Sequence, residues 1–462
     1  MGDLDYPVLV AENQIAGLHL EASDRIEGSE AWMVAVTALQ KAPAIWVRHC
    51  STSFGALAYA AMEERERAFA LPAVQEALRT AGLDGWLFYD FRGLDPVARK
   101  VLGLSAARVG TRRWFYLVPA NGEPRKLCHA IEPGMLDALP GSRRIYLSWQ
   151  SLDEGLRAVL GSSKRVAMQY SPRNEVPYVS RVDAGTFELV RGAGVEVVSS
   201  ADLVQLFDAT LSPEQLASHR RAAAVLRRLV DEVFDRAASD VRSRKSVTER
   251  SLLEFLEKRL AEEKLVYDHA PIIAVNANAA NPHFEVPAAD SAPVQHGDLL
   301  LLDLWAKERE RGSIYADITW TVVVGDRVPE KHAAVFQVVR DARDAAIAMA
   351  RDHFHAGKPI QGCELDRVAR SVIAGAGYAD RFIHRTGHSI HEEGHGNGAN
   401  LDDLETHDTR LILPRTLFSV EPGIYLTGEF GIRSEVNVYH TGSDAEVTGP
   451  PHQTELRAIL AS

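Results

Sequence analysis

The sequence predicts an α/β (α+β) chain with two unlike parts, an α/β domain followed by a domain built from two similar halves. Three observations carry this. Between about residues 62 and 205, short runs rich in β-branched and aromatic residues alternate with helix-like text. From 206 to 462 the order helix, helix, loop with histidine, hairpin occurs twice at low residue identity, which reads as an internal structural duplication. The two hairpins also echo each other. GDLLLLDLWAKERERGSIYADITWTVVVG carries Asp303 and Asp317, and RTLFSVEPGIYLTGEFGIRSEVNVYH carries Glu421 and Glu435, each pair 14 residues apart.

Bulk properties narrow the function classes. A chain of 462 residues has room for two or three domains, and 46% hydrophobic with 25% charged residues suits a globular protein. The formal net charge of -12 argues against nucleic acid or an anionic membrane as partner. No apolar run approaches the length of a membrane span. The start, MGDLDYPVLV, is acidic where a secretory signal would be basic. Cys50, Cys128 and Cys363 lie far apart and read as buried reduced thiols, so a cytoplasmic location is expected.

Taken in order, residues 1–61 show no sustained period and read as an N-terminal extension. The text changes at Met62, which is either the natural start or part of an ordinary N-terminal element. From there to 205, GWLFYD, RRWFYLVP, RRIYLS, RVAMQY and VEVVSS read as strands, and SLDEGLRAVLG and TFELVRGAG as helices. This segment has no Gly-rich phosphate loop and no cluster of His, Asp and Glu, so no chemistry is expected of it. A boundary falls near 212, where Ser212, Pro213 and Gln215 form a capping box for a long helix. A second helix is expected to be capped at Ser246 with Glu249. Two further helical segments fall around 330–355 and 363–376.

The hairpins carry the chemistry. On a strand, residues i and i+2 share a face, so Asp317, Thr319 and Thr321 point together, as do Arg433, Glu435 and Asn437. His384 and His388 are four apart and His395 is seven further on, in a Gly-rich loop. Burying carboxylates among such apolar neighbours is costly unless they are paired or hold a metal. Four of them with histidine form a hard, oxygen-rich set suited to Mn, Co, Fe or Zn in an open site. About two divalent ions would neutralise the set, and a pair about 3.5–4 Å apart, sharing a bridging hydroxide, is machinery for hydrolysing an amide.

Over about 205–462 these motifs resemble the pita-bread metallopeptidases, which include methionine aminopeptidase, aminopeptidase P and prolidase (Xaa-Pro dipeptidase). The segment from 62 to 205 looks like the N-terminal domain of the prolidase, aminopeptidase P and creatinase branch. The resemblance implies a pita-bread domain with pseudo-twofold halves at 206–462. It implies metal ligands at Asp303, Asp317, His388, Glu421 (in SVEPGIY) and Glu435 (in GIRSE). It further implies Glu421 as general base, His395 steadying the oxyanion, His283 and His384 touching substrate, and a homodimer. Manganese is the first expectation for the metals, with zinc or cobalt as alternatives.

Two departures stand out. The family often spaces its first two aspartates about 11 apart, which suggests a KERER insertion at the hairpin tip here. His391 and Glu392 stand where glycine and an apolar residue are common. Plainer readings also stay open. His283 could be a loop residue capping a turn, and His384 a prop for His388. Arg433 either binds the substrate's terminal carboxylate or partners Glu421 or Glu435. Tyr315 is a pocket wall or hydrogen-bond donor, or else core. The resulting expectation is a di-metal hydrolase of Xaa-Pro dipeptides, a small peptide being its partner. The rivals are an aminopeptidase P acting on longer peptides and a catalytically inactive peptide binder.

Overall fold

The structure, a computed structural model, describes residues 69–104 and 109–461. The expected start at Met62, and Cys50, lie outside the described residues. Cys128 and Cys363 are buried free thiols.

The first part is a six-stranded mixed sheet of β1 (Gly85–Asp90), β2 (Trp114–Pro119), β3 (Arg125–His129), β4 (Ser142–Tyr146), β5 (Arg165–Met168) and β6 (Glu196–Ser199), in the order β4-β3-β2-β1-β5-β6. Strand β1 is buried along its length because both faces are covered. Trp86 and Phe88 belong to one apolar cluster, Leu87 and Tyr89 to another. The covering helices are α1 (Leu71–Thr80), α2 (Pro96–Val101), α3 (Trp149–Leu160), α4 (Ala184–Gly192) and α5 (Ala201–Asp208). Strand β3 is absent from the sequence reading because RKLCH opens with two cations. Lys126 is nonetheless buried, its Nζ donating to the Leu139 carbonyl.

Helix α6 (Pro213–Arg242) starts at Ser212 with the expected capping box. Helix α7 (Glu249–Glu262) is capped by Thr248 with Ser251, not by Ser246 with Glu249. The reason lies in Glu249. Its fully buried carboxylate accepts from Val275 N (2.8 Å), Asn278 Nδ2 (2.9 Å) and Ala292 N (3.2 Å), and so is committed to the core. Short strands β7 (Leu265–Val266) and β8 (Ile272–Val275) then pair with the first ribbon, β9 (Asp298–Glu308) and β10 (Ala316–Val324).

The second half repeats the order. Helices α8 (Glu330–His355) and α9 (Gly362–Gly375) precede the histidine loop, which contains β11 (Ser389–Ile390). The second ribbon follows as β12 (Leu417–Val420), β13 (Gly423–Leu426), β14 (Phe430–Arg433) and β15 (Val436–His440), with β16 (Ala445–Val447) beyond it. β12 pairs with β15 and β13 with β14 in one continuous register, broken at Glu421–Pro422 and Ser434–Glu435. Proline has no N–H for the ladder, so the break falls where Pro422 stands.

Period two sorts the residues of both ribbons. Leu300, Leu302, Leu304, Ile318, Trp320 and Val322 face α6 and α7, whereas Phe418, Val420, Val436 and Val438 face α8 and α9. The residues between them, Asp303, Asp317, Thr319, Ser419, Glu435 and Asn437, are turned away from the helices, and there the two ribbons meet.

Candidate active site

Two side chains hold the ribbons against each other. Asn437 Oδ1 accepts from Asp317 N at 3.0 Å, and its amide donates back to the Asp317 carbonyl at 2.5 Å. Thr319 Oγ1 lies 3.0 Å from Asp303 Oδ1 and 2.8 Å from Glu435 Oε2. Within its ribbon Asp303 stands opposite Thr319. In the second ribbon the shared register sets Glu421 and Glu435 across the break from each other.

His388 enters from the side. Ser419 Oγ accepts from its backbone N at 2.9 Å, and its carbonyl accepts from Ser419 N at 2.9 Å. Gly387 permits this approach, because a Cβ there would sit 2.0 Å from the Ser419 carbonyl oxygen. The Ser389 carbonyl, 3.2 Å from His388 Nδ1, can only accept, so Nδ1 carries the proton. The Nε2 lone pair then faces Glu421 Oε1 at 3.3 Å and Asp317 Oδ2 at 3.7 Å.

A lone pair opposed to two carboxylate oxygens needs a proton or a cation among them. Burial first, then neighbouring carboxylates, pushes Asp317 and Glu435 well above the usual carboxylate range. Burial likewise raises Glu421, to about 7. Burial holds His388 well below the usual imidazole value, with His395 adding to the effect. Asp317 Oδ1 and Glu435 Oε1 are buried, with no hydrogen-bond partner among the described residues. Asp317, His388 and Glu435 each place a ligand atom within 4.8 Å of the others. A neutral imidazole nitrogen, its other N–H fixed on a carbonyl, and oxygens lacking partners fit a divalent cation.

These groups line a cavity of about 520 Å³, which all five expected ligands share with His283, His384, His395, Arg385 and Arg433. His283 is exposed at its edge, with its backbone N on Asn281 Oδ1 at 3.2 Å. The His395 ring lies 4.1 Å from that of His388, and burial lowers its pKa to about 4, which keeps it neutral.

Three of the expected site residues have further partners or a different place. His384 donates from Nδ1 to the Arg385 carbonyl (2.7 Å), and its Nε2 accepts from the Tyr425 hydroxyl (2.7 Å). Both nitrogens are thus engaged within the protein, one of them in orienting Tyr425, while the ring still lines the cavity. Arg433 is committed as well. It donates from Nη2 to Asp303, from Nε to Thr319 at 3.0 Å, and from Nη1 to Tyr425 at 3.2 Å and the Pro282 carbonyl at 3.3 Å. Its carboxylate partner is Asp303, not Glu421 or Glu435, and no two-pronged fork is left for a substrate. Tyr315 does not line the cavity. It precedes β10, its N donates to the His391 carbonyl at 3.0 Å, and its ring packs with Leu211, Leu216, Ile390 and Leu417.

The KERER stretch is only partly a tip. Lys307 and Glu308 continue β9, and Lys307 donates to the Glu392 carbonyl of the histidine loop, while residues 309–311 are exposed. Sequence reasoning passed over Tyr425 and Arg385. Tyr425 had a signal in the EPGIY motif, whereas a single arginine in a polar loop gives none.

Residues 217–442 match the profile of Metallopeptidase family M24. An Xaa-Pro dipeptidase of Lactobacillus delbrueckii subsp. lactis is 34% identical over 194 residues, 42% of this chain and 48% of that protein. The match thus spans about half the length of that relative. Among solved structures, dipeptidase PepE from Mycobacterium ulcerans is similar with a TM-score of 0.61 at 24% identity, covering 84% of this chain and 96% of that one. The N-terminal domain of the FACT complex subunit SPT16 from chickpea (Cicer arietinum) has a TM-score of 0.57 at 12% identity, covering 84% and 97%. The fold is therefore common to proteins of very different sequence. Residues 217–442 of this chain are thus similar to metallopeptidase family M24.

Proposed function

We propose that the protein is a metal-dependent hydrolase that cleaves the Xaa-Pro bond of dipeptides. The observation that carries this reading is the convergence of the His388 Nε2 lone pair with the carboxyls of Asp317, Glu421 and Glu435 on one wall of a cavity. The similarity to an Xaa-Pro dipeptidase supports the substrate class.

Asp303, Asp317, His388, Glu421 and Glu435 would hold two divalent cations, manganese first and zinc or cobalt as alternatives. Bound there, such ions supply Lewis-acid polarisation of a carbonyl and a water of lowered pKa. The chain's own groups do the rest. Glu421, whose carboxylate lines the cavity beside His388, would take up a proton and return it. Neutral His395 can donate a hydrogen bond to the carbonyl oxygen as charge builds there. Arg433 balances Asp303, so that one of the four carboxylates is compensated by the protein itself. Proline forms a tertiary amide without an N–H, so its recognition falls to cavity shape and to the charged ends of the peptide.

The test is an assay of the full chain with added Mn²⁺, Zn²⁺ or Co²⁺ on Gly-Pro, Ala-Pro and matched tripeptides. The expected result is metal-dependent release of proline, faster from dipeptides. Faster cleavage of tripeptides would move the reading to aminopeptidase P, and no cleavage with any of these metals would leave a peptide binder. Glu421→Gln is expected to fold normally and retain less than about a tenth of the activity.

A further inference from the structure

A second group of metal-binding donors lies outside the cavity. Cys363, the second residue of α9, stands with Asp403 and His407, and each of the three places a ligand atom within 4.8 Å of the others. None of them lines the cavity. They bring one sulfur, one carboxylate oxygen and one imidazole nitrogen, a softer set than the oxygen-rich centre on the ribbons.

The fold brings them together at a tight junction. Gly362 lets the start of α9 meet the following loop, because a Cβ there would sit 1.9 Å from the Asn400 carbonyl oxygen. Cys363 N then donates to the Asp408 carbonyl at 3.0 Å. The loop is closed by Asp402, whose carboxylate accepts from Leu404 N (3.0 Å), Glu405 N (2.9 Å) and Thr406 N (3.1 Å). Asp403 and His407 come side by side, with His407 Nδ1 2.6 Å from Asp403 Oδ1. Arg367 donates from Nε to the other Asp403 oxygen at 2.5 Å, which fixes the carboxylate and leaves Oδ1 facing the imidazole.

These donors suit one ion. Sulfur with nitrogen and oxygen fits zinc, and the ligands of a tetrahedral zinc stand about 3.3–3.8 Å apart. The three atoms are within about an ångström of that arrangement. The Cys363 thiol is held only by a long contact, 3.6 Å from Sγ to Gln361 Oε1. Asp403, Glu364 and Asp408 act on it electrostatically, as does Arg367. Asp408 is already paired with Arg410, which leaves Asp403 and Glu364 against one guanidinium, a net negative charge that a dication would take up. His407 is exposed, so the group opens to solvent, and water can take the fourth corner.

We propose that Cys363, Asp403 and His407 form a second metal site, for Zn²⁺, that clips the loop 402–408 to the start of α9. On binding, the thiol proton leaves to solvent and a sulfur–zinc bond takes its place. The imidazole keeps one proton, on the nitrogen away from the metal, and no electrons change hands. The clip reaches the cavity through one residue. Glu405, on the same loop, lines the cavity and accepts from Arg385 N at 3.2 Å, so zinc here steadies a stretch of the cavity wall.

The experiment is titration of the reduced full-length chain with Co²⁺, followed by absorption in the near ultraviolet. Cobalt bound through sulfur gives a thiolate-to-metal charge-transfer band. Cobalt in the cavity gives none, because no cysteine lines it. The expected result is one such band, removed by added Zn²⁺ and absent in Cys363→Ser. His407→Gln, at an exposed position, should weaken the Co²⁺ binding that the band reports at least about 10-fold, since loss of an outer partner alone costs that much. No band up to millimolar Co²⁺, a band that survives Cys363→Ser, or unchanged affinity in His407→Gln would overturn the proposal.

Discussion

Thr319 has one hydroxyl proton and three close neighbours: Asp303 Oδ1 at 3.0 Å, Glu435 Oε2 at 2.8 Å and Arg433 Nε at 3.0 Å. Arg433 can only donate, so it uses a lone pair of the hydroxyl. The single proton then serves one carboxyl, and the other must bring its own proton or be turned toward a cation. Thr319 thus sets the orientation of two expected ligands at once. Thr319→Val keeps the shape and removes the hydroxyl, and it should weaken divalent-metal binding about 10- to 100-fold, as measured by competition with a chromophoric chelator. Unchanged affinity would reduce Thr319 to a space filler. At this scale the sequence was legible wherever a residue was out of place. A carboxylate inside LLLLDLW demands explanation, and the five expected ligands all line one cavity. Arg385 was not legible, because its partner Tyr178 stands 207 residues earlier.

The ribbons show how far local pattern reaches. Alternation divided helix-facing from site-facing residues correctly, since the pleat enforces it. The expectation of two alike hairpins holds in outline only: Asp303 stands opposite Thr319 whereas Glu421 stands opposite Glu435, and Pro422 breaks the second ribbon. The long helix α6 is tied to both ribbons through His219, which the sequence reading left aside. Fully buried, it donates from Nδ1 to the Tyr315 carbonyl (2.7 Å) and accepts from the Thr448 hydroxyl at Nε2 (2.7 Å). Burial lowers its pKa from 6.5 to about 4. Above pH about 6.5 it is neutral in both folded and unfolded chains and adds no pH dependence. As pH falls from there to about 4, the unfolded chain takes a proton that the folded chain refuses, so stability is lost, by about 3 kcal/mol in all. His219→Gln removes this term along with two buried hydrogen bonds. It should therefore be less stable at neutral pH, with a flatter decline between pH 6.5 and 4. Denaturant titrations across that range check this, and parallel declines for the two proteins would refute it.

At the scale of the whole chain, the first domain serves the second. Helix α5 sends Gln205 Oε1 to Ala399 N at 2.9 Å, and Asp208 accepts from Asn397 Nδ2 at 2.7 Å while pairing with Lys100 at 2.8 Å. These contacts pin the segment just after His395, and Tyr178 reaches Arg385 from the same domain. The alternation of strands and helices made an α/β first domain legible in the sequence. Its bearing on the site was not, because docking is decided by single polar residues that carry no periodicity. The described residues include no helix long and apolar enough to cross a membrane.

The central claim is that the two ribbons and His388 create one centre for divalent metal. Diffraction from crystals grown with Mn²⁺, recorded on either side of the manganese absorption edge, tests it most directly. The account predicts two anomalous peaks enclosed by Asp303, Asp317, His388, Glu421 and Glu435, both lost in Glu435→Ala. Manganese absent from that cavity, or bound only elsewhere on the chain, would contradict it.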